Sequence, residues 1–437
     1  MPTLIQGGTL LTMAPSWRPA RGDVLVSGRR ITGVGTVEAP PGSEVLDASG
    51  CYVMPGLVQL HLHLVQTLCR GLAEDLPLLD WLRRRIWPLE AALDEASMRA
   101  SVRLGLLELE LTGTTTVLDM GTSHGGDVVA EELVRSGIRA RFGQAMMDAG
   151  EGVPPRLLET TRASLDASGE LKKRWDGQDG GRIGYAYAPR FALSCTRELL
   201  EAVTALSKMT STLVHTHSNE DAAERAAIEA ATGRAPAAYL AERGIASERA
   251  VFAHGVHLDD AELAILAATG TAVAHCPSSN LKLGAGIADV ARLRAARVTV
   301  GLGADGAACN NRLDGFEEAR LATLLARTKA PLGALTAAQA LEMATREGAK
   351  AMHVDDEVGT LQAGKRADLV VIDAERLALG GEPATRILFG GGSRAVRDVM
   401  IDGQLVVRDG RSLRFDEAEV RAKAAEAVPA LLERAGT

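Results

Sequence analysis

The chain has 437 residues, 46% of them apolar, with 48 basic and 56 acidic side chains and a formal net charge of −8. It is too long for one ordinary core, and its acid excess argues against a nucleic-acid or anionic-membrane partner, which would call for a basic patch. Five scattered cysteines (Cys51, Cys69, Cys195, Cys276 and Cys309) without CxxC spacing argue against a disulfide framework and against a thiolate zinc site.

The opening Met1-Pro2-Thr3-Leu4-Ile5 lacks a basic run leading into an apolar stretch and cleavage site. No apolar window of about 18 residues suggests a membrane span. A cytoplasmic protein is the expectation. Residues 23–26 and 31–34 flank Ser27-Gly28-Arg29-Arg30, a hairpin signal. At the other end, 399–401 and 404–407 flank Asp402-Gly403, a stronger one, and 367–373 is a further strand candidate. Neither end is large enough for its own core. Residues 1–55 and 359–412 are therefore expected to pack together as one small β-sandwich, interrupted by a long insertion.

The insertion, 56–358, alternates strands and helices. Strands are predicted at 57–63, 114–118, 139–145, 182–188, 212–217, 250–254, 271–276 and 299–305, with helices such as 198–208 and 260–269 between them. Eight strands with crossover helices fit an α/β fold of the (β/α)8 TIM-like barrel type. The polar run 166–182 reads as a helix plus a loop. From Asp416 the chain reads as a terminal helix over 413–437, with Asp416 as N-cap and Pro429 kinking or ending it.

Nine histidines occur, and their positions carry information. His61 and His63 end the first barrel strand; two apart, they point to one face. His217 ends the fifth strand and Asp305 the eighth. All four sit at C-terminal strand ends, where barrels build their sites. A His-x-His pair alone is more often packing or hydrogen bonding than ligation, but four such residues at strand ends make a metal site the better reading. Three neutral nitrogens and one carboxylate suit Zn2+, or Fe2+, and a divalent ion acidifies the water it binds to a pKa of roughly 7. Asp305 can then accept a proton as well as bind metal. Glu220, three residues after His217, is placed to move protons at the site; alone it would read as an exposed helix-start carboxylate. His254, ending the sixth strand, can hydrogen-bond the attacking oxygen or be a buried structural imidazole. His257 is read as structural. His275 either faces the site or anchors the turn Cys276-Pro277-Ser278-Ser279-Asn280, and His124 has no assigned role.

The segments Pro55-Gly56-Leu57 with His61-Leu62-His63, His215-Thr216-His217, Gly303-Ala304-Asp305-Gly306 and Gly359 through Leu369 resemble the amidohydrolase superfamily over nearly the whole chain. Within it they are similar to the mononuclear aminohydrolases: S-adenosylhomocysteine and methylthioadenosine deaminases, guanine deaminase and triazine hydrolases. The resemblance implies catalytic roles for Glu220, His254 and Asp305, and a homo-oligomer. Binuclear relatives often bridge two ions with a carbamylated lysine ending strand four. Here that strand reads Gly184-Tyr185-Ala186-Tyr187-Ala188-Pro189-Arg190 without lysine, so one ion is expected.

For the substrate the resemblance points two ways. Trp87-Pro88-Leu89-Glu90 and Ala307-Ala308-Cys309-Asn310-Asn311 resemble the nucleoside-type deaminases, in which the position of Glu90 binds ribose hydroxyls. Gln66 and Pro189-Arg190-Phe191 resemble guanine deaminase, which implies a glutamine holding the base, an arginine donating to it and a phenylalanine stacking on it. Arg190 pairing with a nearby carboxylate and Phe191 in the core is the competing reading. The shared expectation is hydrolytic deamination of an amino-substituted purine or similar nitrogen heterocycle, a small-molecule substrate bound by Gln66, Glu90, Arg190, Phe191 and Glu220. The alternatives are a triazine or pterin aminohydrolase or chlorohydrolase, a cyclic amide hydrolase of the dihydroorotase or hydantoinase type, and an inactive barrel used for binding.

Overall fold

The computed structural model describes residues 1–377 and 380–436. Its centre is a closed ring of parallel strands: Leu57–His63, Thr114–Asp119, Arg139–Phe142, Ile183–Pro189, Leu213–Ser218, Ala250–His254, Ala272–His275 and Val300–Leu302. The eighth pairs with the first through Leu302 and Gln59, and the fourth with the fifth through Ala186 and Leu213. This is the expected TIM-like barrel, with helices on its outside.

Two predicted strands are broken, each for a local reason. The third stops at Phe142 and resumes as Ala145–Met146. At Gly143, between them, a Cβ would lie 2.2 Å from the Ala186 carbonyl oxygen, so the chain crosses its neighbour too closely for a regular ladder. The eighth stops at Leu302 and resumes as Asp305–Gly306. A Cβ on Gly303 would be 2.8 Å from that of His61. The break lets Asp305 adopt a left-handed φ of 62° and pair in register with Leu62, between the two first-strand histidines.

The crossover helices start on side-chain caps. Thr196 caps Arg197–Thr210, and Asp259 makes a capping box with Glu262 at the head of Asp260–Thr269. In the polar run, a helix over Thr161–Trp175 is followed by a turn with left-handed Asp179, Gly180 and Gly181. Between the first strand and the helix Glu95–Leu111, residues 78–92 form one rod whose middle turn, Leu82–Ile86, is widened to π geometry. Pro88 lies inside this rod. It cannot donate to the Arg84 carbonyl and its ring crowds it, and the widened turn relieves both.

The two chain ends form one continuous nine-stranded sheet, joined where Cys51–Pro55 pairs antiparallel with Leu369–Asp373. Alternate residues serve two cores. Val53, Leu369 and Val371 face the sheet's own interior with Val24, Ile31 and Met400. Tyr52, Met54, Val370 and Ile372 face the barrel helices. The sheet curls over itself until its two hairpin turns touch: a Cβ on Gly403 would be 2.0 Å from the Gly28 carbonyl oxygen. This gives the expected sandwich-like layer as a single folded sheet. The helix Glu417–Ala435 starts on Asp416, as predicted, and runs on through Pro429 rather than ending there. Among the described residues, no helix is long and apolar enough to cross a membrane.

Candidate metal-dependent active site

His61, His63, His217 and Asp305 converge at the C-terminal mouth of the barrel, each offering one atom, with all four atoms within 4.8 Å of one another. His63 Nε2 lies 3.2 Å from His217 Nε2, and Asp305 Oδ1 lies 3.2 Å from His61 Nε2 and 3.6 Å from His63 Nε2. Ligands about 2.0–2.1 Å from a tetrahedral ion sit about 3.3 Å from each other, so these spacings fit a divalent cation. The first-strand register and the Asp305–Leu62 pairing produce this arrangement directly.

Each imidazole is aimed by its other nitrogen. His217 Nδ1–H donates to the Arg190 carbonyl at 2.6 Å, and His63 Nδ1–H to the Gly121 carbonyl at 3.4 Å. A carbonyl only accepts, so both Nε2 atoms keep a free lone pair. His61 Nδ1 is 2.8 Å from His215 Nε2. Burial holds His217 and His215 well below the usual imidazole range and lowers His63 to about 3, so these rings are neutral and fit to ligate. Burial opposes the charge of Asp305, but His61 and the other rings around it hold the carboxyl well below its usual range.

Glu220 is buried, not the exposed helix-start carboxylate of the competing reading. Its position is set by Asn219, which adopts φ 57° and donates from Nδ2 to Glu262 at 2.8 Å, while Glu220 N donates to Glu224 at 2.7 Å. Burial, reinforced by the charge of Asp305, pushes the Glu220 carboxyl well above its usual range. His254 sits opposite, with Nε2 at 3.4 Å from Glu220 Oε2 and 3.9 Å from Asp305 Oδ2. Its Nδ1 donates to Asn280 Oδ1 at 2.9 Å, leaving Nε2 as an acceptor. Burial lowers this ring to about 4. His254, with φ 77°, and Asp305 both hold left-handed backbone, a strain that clusters at working sites.

The cleft above these groups is lined by His63, Gln66, Leu78, Trp81, Leu82, Arg190, Phe191, His217, Glu220 and Asp305. Gln66, Arg190 and Phe191 thus line the cleft, and Phe191 also packs in the main apolar core, as its competing reading had it. Glu90 departs from its expected role as a ribose ligand. It is wholly buried behind the wall and its carboxylate is taken by Arg190 at 2.6 and 3.1 Å. Arg190 thus pairs with a carboxylate, as in the competing reading, and also lines the cleft. His257 donates to the Ala285 carbonyl and His124 to that of Leu93, both structural contacts. His275 is buried beside His254 with neither ring nitrogen partnered among the described residues, so its ring does not anchor the following turn.

Sequence reasoning did not assign roles to Asn280, Thr122 or His215. The Ser279-Asn280 turn and the His-Thr-His run were visible, but their partners come from other strands.

A barrel with three histidines and an aspartate at its mouth, and a second carboxylate and imidazole beside them, defines a metal-dependent hydrolase of this architecture. The model of the Amidohydrolase family matches residues 52–406, and the chain belongs to that family. It is 38% identical to a 5-methylthioadenosine/S-adenosylhomocysteine deaminase of Halobacterium salinarum, over 99% of this chain and 98% of that one. A crystal structure of an adenosine deaminase from Xanthomonas campestris with bound zinc superposes with TM-score 0.91 at 31% identity, over 99% and 98% of the two chains. The Escherichia coli guanine deaminase superposes with TM-score 0.82 at 27% identity, over 93% and 98%.

Proposed function

We propose that the chain is a metal-dependent aminohydrolase that replaces the amino group of a purine or related nitrogen heterocycle with oxygen, releasing ammonia. The observation that carries this is the pairing of a four-residue His/Asp cluster with a buried Glu220 that lies 3.4 Å from His254 Nε2 beside it. The relatives whose names specify deaminases support the same chemistry.

A divalent ion held by His61, His63, His217 and Asp305 supplies water acidified to near neutrality. With an ion bound there, Asp305 would stand beside that water as the base that could take its proton. His254 Nε2 accepts a hydrogen bond from the water's O–H and so directs its lone pair at the ring carbon. Glu220, whose carboxyl is pushed well above its usual range by burial and the charge of Asp305, gives its proton to the adjacent ring nitrogen. The proton collected from water then passes to the amine, which leaves as ammonia as the C–N bond breaks, and the hydroxyl proton remaining on the adduct returns to Glu220 as the C=O bond forms. Phe191, Leu78, Trp81 and Leu82 give the heterocycle apolar walls and keep bulk water out.

A single zinc ion is our reading of the metal. It is supported by the 3.2 Å ligand spacings, the three-nitrogen one-carboxylate set and the absence of lysine in Ile183–Pro189. Glu220, His254 and Asp305 also lie close enough to one another to hold an ion, and two tightly held ions per chain would replace this reading.

The test is ammonia release from a panel of aminopurines, their nucleosides, triazines and pterins by zinc-loaded protein. Turnover of at least one aminated ring is expected. No ammonia from any, with cleavage of dihydropyrimidines or hydantoins, would transfer the chain to the cyclic amide hydrolases.

A further inference from the structure

The wall of the cleft is organised by a carboxylate that cannot be seen from it. Glu90 has no exposed surface. Its Oε1 accepts from Gln66 Nε2 at 2.7 Å and Arg190 Nη2 at 3.1 Å; its Oε2 accepts from Arg190 Nη1 at 2.6 Å and Thr122 Oγ1 at 3.2 Å. A carboxylate offers about four acceptor sites, and here all are filled.

We propose that Glu90 is a positioning residue that locks Arg190 and Gln66 into the cleft wall, and that the cleft thereby selects a free heterocyclic base over its nucleoside. This rests on the aminohydrolase reading above. Three observations carry it. First, a sugar diol seeking Glu90 would have to displace the guanidinium, which would then lie buried without its counter-charge. Second, the network fixes Gln66. Because Nε2 faces the carboxylate, Oε1 must face the other way, and there it is buried without a donor among the described residues. Gly306 makes room for it: a Cβ there would sit 2.0 Å from Oε1. A buried acceptor without a donor, on a residue that lines the cleft, calls for an N–H from the ligand. Third, Arg190 links recognition to chemistry, since its carbonyl holds His217 Nδ1 at 2.6 Å while its guanidinium is pinned by Glu90. The ligand class is a flat amino-substituted ring carrying a ring N–H or amino donor toward Gln66 Oε1, without a sugar.

The test compares two matched pairs, adenine with adenosine and guanine with guanosine, on zinc-loaded protein. Steady-state ammonia release is followed for the wild type, and calorimetric binding is measured in Glu220→Gln, which holds ligand without turnover. A base is expected to exceed its own nucleoside at least tenfold in kcat/KM and in affinity. Glu90→Gln is expected to raise KM for the base at least tenfold with a smaller change in kcat. Arg190→Met, which frees the carboxylate, is expected to shift the ratio toward the nucleoside. The double variant Glu90→Gln/Arg190→Met removes both charges and keeps the comparison possible if either single variant folds poorly. A wild type that prefers nucleosides, with Glu90→Gln losing nucleoside turnover alone, overturns the proposal while leaving the aminohydrolase reading intact. Tighter binding of bases with no ammonia from any compound does the reverse.

Discussion

A carbonyl oxygen accepts and never donates, and that decides which nitrogens of His63 and His217 face the ion. With those rings fixed, Asp305 lies within 4.8 Å of all three ligand-type nitrogens, and the proposed function gives it two roles, metal ligand and base. Asp305→Asn is therefore expected to lower turnover by more than about a thousandfold and to reduce bound metal, because an anionic ligand and the base go together. Near-normal activity in a metal-replete Asn variant would remove both roles. Asn280 acts one step further out. It touches no reacting atom but orients His254 through Nδ1. Asn280→Ala is expected to lower kcat about ten- to a hundredfold with metal content unchanged. Loss of metal in parallel would make Asn280 a fold residue instead. The clustering of His61, His63, His217 and Asp305 was legible because strand-end positions are written in local sequence. The Glu90–Arg190 pair was legible only as one of two options, since its members are a hundred positions apart and nothing local says which carboxylate an arginine will meet.

At the scale of elements, period-two alternation and cap residues located the strands and helices within a few positions. The breaks at Gly143 and Gly303 were not readable, because they arise from how closely a neighbouring strand approaches. Burial of a polar side chain on a helix is equally invisible in the helix's own sequence. Glu110, in the last turn of Glu95–Leu111, is 3% exposed. Burial pushes its carboxyl up from 4.5 to about 8, against the lowering effects of the Ser412 hydroxyl and Arg414. The folded chain thus keeps a proton through this interval that the unfolded chain releases. Stability falls as pH rises from about 4.5 to about 8, by at most about 1.4 kcal/mol per pH unit from this group. Glu110→Gln cannot ionise and is expected to match the wild type near pH 4.5, to exceed it by a margin that grows up to about pH 8, and to hold that margin above it. Urea unfolding at about pH 5 and about pH 8.5 reads this directly. An equal difference at both pH values would mean that Glu110 is already ionised in the fold.

For the whole molecule, the question is what fastens the folded sheet to the barrel. That the two ends pack together was inferred, as a small β-sandwich, from two strand-rich ends that could not stand alone; their union in a single continuous sheet was not, since strand order across so long an insertion has no local signature. The fastening is Arg139, the first residue of the third barrel strand. It is 4% exposed and bidentate on Asp368 at 2.9 and 3.1 Å, with Asp402 at 3.4 Å. Asp368 in turn accepts from Asp402 N at 2.7 Å, and its carbonyl from Gly56 N at 3.1 Å, so one ion pair ties the barrel to both halves of the sheet. Arg139→Met is expected to cost about 3–5 kcal/mol, because it leaves Asp368 buried and uncompensated. Arg139→Met with Asp368→Leu should recover much of that loss, the charge having gone with its partner. Arg139 lies at the N-terminal end of its strand, and the metal ligands at the opposite end of the barrel, where the loops build the site. Turnover per folded molecule at low temperature should therefore stay within about twofold of wild type while the unfolding midpoint drops. A selective fall in kcat at full folded fraction would show instead that the sheet's docking is felt across the barrel, at the metal end.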